Sequence, residues 1–182
     1  ESFTPDTNTL LGEVPEIKNF FVCCGLNSIG IGSGGGVGKV TAEWLMTGHI
    51  NEDIFSYDIK RFQKFHSELG FIKNRISETL GDLYGMHWPF KQHKTSRNIK
   101  ILPHHENLKS FGACFGVSGG YERPMWFTLD GENAEYEYSY NYQNWYPSAE
   151  YETNNTIKNV GLYDLTPFSK FEIISDKAHQ EL

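Results

Sequence analysis

The segment from residue 25 to residue 38 holds seven glycines in fourteen positions and constrains the fold more than any other stretch. Residues 20–24 before it form a short apolar run that predicts a buried strand. After it, a helix capped by Gly48 is indicated by an apolar stripe of Val37, Val40, Trp44 and Leu45. Because so many glycines are costly in an ordinary element, we expect a loop whose backbone takes positive φ or lies against a ligand. Such a loop before a helix N-terminus would direct N–H groups at an anionic or electron-rich ligand.

The segment partly matches two nucleotide-binding motifs. Residues 30–35 satisfy GxGxxG, and Asp53 lies near the distance expected of an acidic partner, but no apolar strand precedes Asp53. The phosphate-loop pattern fails because Ser33 stands at its first glycine and Val40 follows Lys39 in place of Ser or Thr. Both a ligand-contacting loop and a structural glycine turn therefore stay open.

Composition excludes several functional classes. A length of 182 residues permits one or two domains, and a net charge of −7 argues against nonspecific nucleic-acid binding. No apolar run approaches the length of a membrane span, so no membrane partner is expected. Three cysteines fit a reducing compartment, and the adjacent Cys23 and Cys24 are expected to be buried and structural.

The rest of the chain predicts an α+β protein. An amphipathic helix is indicated over residues 69–83 by leucines and isoleucines three or four apart, ending at Gly85. A short helix is expected from Pro103 to Lys109, and another over residues 148–159. Residues 121–127 look irregular, and strands are predicted at 111–117, 135–142, 160–165 and 170–174.

Three groups of residues have side chains that could form a site. His104-His105-Glu106 could bind a metal, but adjacent side chains diverge on a helix, so a polar helix start is favoured and no metal site is predicted. The tyrosines of residues 136–142 could stack bases, but an acidic surround argues against it: Glu132, Glu135, Glu137, Glu150 and Glu152. Glu122-Arg123 could be a packing ion pair or a site. No catalytic residue is identified.

Seven segments, in order, carry a resemblance to a known family. They are ESFTPD (1–6), GEVPE (12–16), GLNSIGI (25–31), GGGVG (34–38), YDIKRF (57–62), GYERPMWF (120–127) and GLYDLTPFSKF (161–171). Together they resemble the sarcosine and dimethylglycine dehydrogenase family. The resemblance implies an internal fragment of an α+β enzyme, inactive alone. Residues 1–50 would be the C-terminal end of a D-amino-acid-oxidase-like FAD domain, 51–108 a central linking domain, and 109–182 the start of an aminomethyltransferase-like folate-binding domain.

The same resemblance implies a cofactor site. In such flavoproteins the matching loop lies against the pyrimidine end of the isoalloxazine, which predicts FAD contacts from Leu26, Asn27, Ser28, Ile29, Gly30 and Ile31. This agrees with the helix N-terminus facing an electron-rich ring. Ile29 stands where related oxidases carry a polar side chain toward the substrate, which leaves open where the substrate carboxylate is held.

The implied reaction is oxidative demethylation of an N-methylglycine, sarcosine or dimethylglycine. Tetrahydrofolate would take the one-carbon unit at a site mostly outside these residues, and an electron-transfer flavoprotein or oxygen would take the electrons. Such an enzyme is expected in the bacterial cytoplasm or the mitochondrial matrix. The alternative is a noncatalytic relative resembling the regulatory subunit of pyruvate dehydrogenase phosphatase.

Overall fold

The computed structural model describes residues 2–50, 52–129 and 133–181, which fold into a mixture of helices and strands. They divide into two compact units. Unit 1 comprises the described residues of 2–99 with 138–141, and unit 2 those of 100–137 with 142–181. The mixed helix and strand class predicted from the sequence is confirmed. Residues 1, 51, 132 and 182, each of which entered a prediction, lie outside the described residues.

Unit 1 is built on an antiparallel hairpin and two long helices. Strand β1 (Leu10–Glu13) pairs with β2 (Phe21–Cys24) so that the first residue of β1 lies opposite the last of β2. Helix α1 (Gly30–Thr47) follows β2, and α2 (Leu69–Tyr84) comes after two short 3₁₀ helices, Ile59–Arg61 and Lys64–Ser67. Helix α1 packs on the hairpin through Trp44, whose ring meets that of Phe21 edge-on at 5.7 Å.

Helix α1 ends as predicted and begins earlier than predicted. Its C-cap is Gly48 in the left-handed conformation (φ 76°), and the Gly48 N–H donates to the Trp44 carbonyl at 2.9 Å. Six of the seven clustered glycines, however, lie inside the helix, so the predicted glycine loop is wrong for residues 30–38. The loop is confined to residues 25–29, where Gly25 has φ 64°. Glycine weakens a helix by about 1 kcal/mol per residue without forbidding it, and this helix continues into a strongly helical second half.

The strand at residues 21–24 is confirmed, but its burial is not. Cys23 and Cys24 are both exposed, so the prediction of buried structural thiols is wrong. The hairpin has two strands, and α1 covers it at Phe21 rather than at its Cys24 end. A short apolar run predicts a strand, but it does not say which side other elements will cover.

Helix α2 forms where the spacing predicted it, with a different buried face. The buried side chains are Phe71, Arg75 and Thr79, each four residues from the next. Leu69 and Leu80, which belonged to the predicted apolar stripe, are 65% and 43% exposed. Ile72, Ile76 and Leu83 of the same stripe are half-buried, so the predicted stripe is only partly covered within the described residues.

Unit 2 is a second hairpin with helices. Helix α3 (His105–Ser110) leads into β3 (Ala113–Ser118), which pairs antiparallel with β4 (Tyr121–Phe127); α4 (Tyr146–Lys158) and the short α5 (Ala178–Glu181) follow. Its buried apolar side chains are Leu102, Ala113, Cys114 and Trp126. The predicted helix after Pro103, the strand near 111–117 and the helix near 148–159 are confirmed.

Residues 121–127 form a strand and not the irregular segment we expected. The register shifts beside Phe115, which pairs with Pro124, while Cys114 pairs with Trp126. The resulting bulge accommodates a proline, which has no N–H for the ladder and is otherwise confined to sheet edges. Strand propensity therefore outweighed the proline once a partner strand was present.

Three predicted strands are absent from the described residues: 135–142, 160–165 and 170–174 have no regular structure there. In residues 135–142, two tyrosines make separate side-chain hydrogen bonds. Tyr138 Oη accepts the Gln92 N–H at 2.9 Å, and Tyr140 Oη donates to the His87 carbonyl at 3.0 Å. In the last two segments the apolar side chains are mostly exposed. Alternation alone does not form a strand without a partner to pair with.

Candidate functional site

The six residues predicted to contact a cofactor form one turn and the first residues of α1. The Ile29 N–H donates to the Leu26 carbonyl at 2.9 Å, which closes the turn. Its two central residues, Asn27 (φ 47°) and Ser28 (φ 64°), are both left-handed, as in a type I′ turn. Ile29 is the N-cap of α1, so the turn fixes the direction in which the helix begins.

The start of α1 is neither capped by a side chain nor neutralised by an acid. Its first turn contains no acidic residue, and Ile29 provides no side-chain cap. The N–H groups of Gly30, Ile31 and Gly32 have no acceptor earlier in the helix, so they and the positive dipole end remain at the surface. Ile29 is 55% exposed and Ile31 fully exposed, which adds an apolar surface beside these donors. Main-chain donors at a positive helix end favour an anionic or electron-rich group.

Asn27 differs from its neighbours because its side chain is buried. It is 1% exposed and bonds within the protein: Oδ1 accepts the Thr4 N–H at 2.9 Å, and Nδ2 donates to the Gly25 carbonyl at 2.7 Å. The carboxamide therefore faces away from the surface on which α1 begins. Any contact of Asn27 with a cofactor there would be made by its main chain.

A cavity of about 850 Å³ lies in unit 1, and its lining includes Gly25, the residue before this turn. Its walls include Cys24, Gly25, Phe62, His66 and Ile76, so they are mostly apolar with a few polar groups. Its size and lining are those of a small-molecule pocket. Nothing in the sequence pattern had pointed to it, because the lining comes from segments as far apart in the sequence as Ser2 and Ile76.

His66 is one of several titratable residues that line this cavity, and the sequence did not single it out. Burial lowers its pKa, against the smaller raising effects of the Gln63 carbonyl, which lies 3.2 Å from Nδ1, and of Asp6. Its Nδ1 accepts the Gln63 N–H at 3.0 Å, and its ring stacks on Phe65 with centroids 4.0 Å apart. These contacts favour a neutral imidazole that packs as an aromatic ring.

One group of side chains in the described ranges has spacing that could hold a metal ion: Glu78, Asp82 and His93. Its carboxylates already have cationic partners, because Lys91 pairs with Asp82 and Arg75 Nε lies 3.7 Å from Glu78. Burial and then Arg75 lower the pKa of His93, while Glu78 and Asp82 raise it, so an added cation would be desolvated beside an existing guanidinium. The cluster is better explained as an ion-pair network that fixes the loop after α2.

Glu78 is the centre of that network. Burial alone would raise its pKa, but bonds from the Thr95 hydroxyl and from the Lys94 and Thr95 N–H groups outweigh this and lower it. Arg75 also donates from Nε to the Thr95 hydroxyl at 3.1 Å. Residues 94–95 are thus held to α2 by a carboxylate and a guanidinium.

The remaining candidates of the sequence analysis lie in unit 2 and have packing contacts. His105 is 6% exposed, and its ring lies 4.1 Å from that of Phe115 between centroids. Glu122 is 2% exposed, and its N–H donates to the Lys100 carbonyl at 2.8 Å. Arg123 follows it on β4, where alternate residues face opposite sides, and lies over the Phe168 ring at 5.2 Å.

A match to a family model identifies the class of protein. Residues 47–101, from the end of α1 through α2, match the family described as FAD dependent oxidoreductase central domain. No helix within the described residues is long and apolar enough to cross a membrane.

Individual relatives then define the family. The chain is 42% identical over 178 residues to 4-methylaminobutanoate oxidase (formaldehyde-forming) of Paenarthrobacter nicotinovorans, covering 98% of this chain and 22% of the relative. It is 38% identical over 141 residues to mitochondrial sarcosine dehydrogenase of Mus musculus, and the match covers 77% of this chain and 15% of the relative. It is 32% identical over 187 residues to the mitochondrial pyruvate dehydrogenase phosphatase regulatory subunit of Mus musculus, and the match covers 100% of this chain and 21% of the relative. The chain belongs to the sarcosine and dimethylglycine dehydrogenase family of FAD-dependent oxidoreductases, as the seven segments indicated, and it spans about a fifth of the length of these relatives.

Proposed function

We propose that this chain is part of an FAD-dependent dehydrogenase that oxidatively demethylates a small N-methylated amino acid. The observation that carries the proposal is the start of α1, where main-chain donors and two exposed isoleucines follow the turn. The family to which the chain belongs is one of FAD-dependent oxidoreductases. When bound, FAD would supply the hydride acceptor for the oxidised methyl group. The protein would contribute a positive helix end, which stabilises electron density on the ring.

Under this proposal the turn contacts the cofactor mainly through its main chain. Leu26, Asn27 and Ser28 would shape the approach, Gly30 and Ile31 would present N–H groups, and Ile29 would cover an apolar edge. Residues 1–50 would complete a D-amino-acid-oxidase-like FAD domain, 51–108 a central domain, and 109–182 the start of a folate-binding domain of the aminomethyltransferase type. No residue of this chain is assigned to the chemical step.

The proposed substrates share one chemical feature, an N-methyl group on a small amino acid. Sarcosine and dimethylglycine are the first candidates. The relative at 42% identity acts on 4-methylaminobutanoate according to its name, which makes a longer chain between amine and carboxylate a third candidate. Tetrahydrofolate would take the one-carbon unit, an electron-transfer flavoprotein or oxygen the electrons, and the location would be the bacterial cytoplasm or the mitochondrial matrix.

A noncatalytic regulatory protein is the second candidate. It is favoured by the relative that matches the whole of this chain at 32% identity, a pyruvate dehydrogenase phosphatase regulatory subunit. Such a protein could keep the same turn for structural reasons, because Asn27 is held internally whether or not a ligand lies outside it.

The deciding experiment uses the full-length protein under anaerobic conditions. We expect purified protein to show flavin absorbance, and sarcosine, dimethylglycine or 4-methylaminobutanoate to bleach it while glycine does not. Peroxide formed on readmitting air would identify oxygen as acceptor. Flavin that none of the three amines reduces would favour the regulator, and full-length protein that takes up no flavin would exclude the proposal. Residues 1–182 alone are expected to retain little FAD and to have no activity.

A further inference from the structure

We infer that Asn27 is a positioning residue for the proposed cofactor contact. Its buried carboxamide, held by Thr4, fixes the left-handed turn that aims the start of α1. The inference rests on the proposed function, and it changes the role predicted for Asn27 from a contact residue to one that acts through the turn.

The contacts use both ends of the carboxamide. Oδ1 accepts the Thr4 N–H at 2.9 Å and the Thr4 hydroxyl at 3.3 Å, while Nδ2 donates to the Gly25 carbonyl at 2.7 Å. The orientation of the amide is determined, because the Thr4 N–H can only donate and the Gly25 carbonyl can only accept. The Asn27 N–H adds a bond to the Ser2 carbonyl at 3.2 Å. Three bonds thus join Asn27 to residues 2–4, and the fourth ties its side chain to Gly25 at the start of the loop.

The turn needs such a restraint. A left-handed non-glycine residue costs about 1 kcal/mol or more, and asparagine tolerates this conformation better than serine does. Here Ser28 (φ 64°) follows Asn27 (φ 47°), so two such costs fall together. Buried bonds to Asn27 offset them and leave the first N–H groups of α1 in one direction. Without these bonds the turn would populate other conformations, and the donors would diverge from the ring.

The restraint is anchored on both sides. Thr4 is 2% exposed and so close to Gly25 that a Cβ on this glycine would lie 2.5 Å from Thr4 Cγ2. Thr4 belongs to an N-terminal segment, residues 2–8, that we call the strap. Asp6 of the strap forms an ion pair with Arg61, whose Nε lies 2.7 Å from Asp6 Oδ2. Arg61 lies in the segment that matches the central domain of the family. The strap therefore links that segment to the turn within unit 1.

The test compares two asparagines in the full-length protein loaded with FAD. Asn27→Ala removes the carboxamide and Asn27→Gly removes it while favouring positive φ; Asn19→Ala is the matched control, because Asn19 is also left-handed (φ 62°) but exposed. We expect Asn27→Ala to weaken the binding of oxidised FAD about tenfold and to weaken the binding of reduced FAD still more. A tenfold preferential loss of the reduced form would lower the two-electron potential by about 30 mV. Asn19→Ala should change neither.

The outcomes separate the inference from the proposed function. Wild-type protein that binds no FAD defeats the proposed function, whatever the variants do. If wild type binds FAD but both Asn27 variants keep the dissociation constant and potential of Asn19→Ala, the turn does not depend on Asn27 and the inference is wrong. If Asn27→Ala does not fold, the flavin potentials of Asn27→Gly and Thr4→Val test the inference instead. Thr4→Val removes only the hydroxyl that donates to Asn27. Each is expected to shift the potential in the same direction, Thr4→Val by less.

Discussion

Trp44 of α1 lies directly on Gly12 of β1. A Cβ on Gly12 would lie 2.5 Å from Cη2 and 2.7 Å from Cζ3 of the indole, closer than real side chains approach. Gly12 also has φ 109°, a conformation that other residues rarely adopt. The contact seats the C-terminal half of α1 on the hairpin, and the turn of residues 26–29 begins the other end of the same helix.

The first prediction concerns this contact. Gly12→Ala should lower the free energy of unfolding by about 2–4 kcal/mol, because it overpacks against Trp44 and strains the backbone. Urea denaturation followed by tryptophan fluorescence measures the change. Gly81→Ala is the control: Gly81 lies inside α2 with nothing within 4 Å of its Cβ direction, so it should stabilise by about 0.5–1 kcal/mol. Equal effects at the two sites would contradict the packing described here.

The second prediction concerns the strap. Arg61 binds both Asp6 oxygens, at 2.7 and 3.0 Å, and donates to the carbonyls of Asn8, Tyr57 and Asp58. Arg61→Ala should therefore destabilise by about 2–4 kcal/mol and Asp6→Ala by about 1–2 kcal/mol, because only the arginine leaves several acceptors unpaired. A double-mutant cycle in urea should give a coupling of about 1–2 kcal/mol.

A surface ion pair provides the control for the strap. Lys39 and Glu43 lie 3.6 Å apart on α1 with 68% and 45% of their side chains exposed. Glu43→Gln should change stability by less than about 0.5 kcal/mol. A coupling near zero between Asp6 and Arg61 would mean that the strap is not held by this pair.

The third prediction is a loss of stability in acid. Burial lowers the folded-state pKa of His66 and of His93, so the unfolded chain binds more protons just below the ordinary value of 6.5. Their stabilising contribution is complete above that value and is lost as the pH falls through it toward the folded pKa. The lowered pKa of Glu78 adds a second loss below its ordinary value of 4.5.

Denaturation from about pH 8 to pH 5 measures the histidine effect, with a slope of at most about 1.4 kcal/mol per pH unit for each histidine. His66→Gln and His93→Gln should each flatten the curve in this range. His49→Gln is the control, because His49 is exposed at the end of α1. A slope that survives both substitutions at the half-buried histidines would assign the acid sensitivity to other groups.

Local features were predictable from the sequence. The end of α1 at Gly48 and the course of α2 follow from short-range rules, a glycine cap and an apolar repeat, and both are confirmed. The glycines of residues 30–38 misled us because their entropic cost is spread over a helix whose other residues continue it. Cys23 and Cys24 misled us because burial depends on what covers a strand.

Features that depend on distant partners were not predictable. The bond of Thr4 to Asn27 joins residues 23 apart, and that of Asp6 to Arg61 joins residues 55 apart. Neither pair follows a periodic pattern, so no window of sequence contains the signal. The absent strands at 160–165 and 170–174 have the same cause, because a strand is specified by its partner as well as by its own alternation. The position of the proposed contact site, in contrast, came from the family resemblance.

The last prediction separates a cofactor contact from a structural turn by opposite signs. Ile31 is fully exposed in the first turn of α1, which contains no acidic residue. Ile31→Glu should stabilise the protein without flavin by about 0.3–1 kcal/mol, because a carboxylate is favourable at a helix N-terminus. In the FAD-loaded full-length protein it should weaken flavin binding about tenfold and lower the flavin potential, since it brings a negative charge to the ring that gains electrons. Ile31→Gln removes the apolar surface without the charge and should leave the potential near wild type. A stabilised Ile31→Glu protein with unchanged flavin affinity and potential would place the cofactor elsewhere.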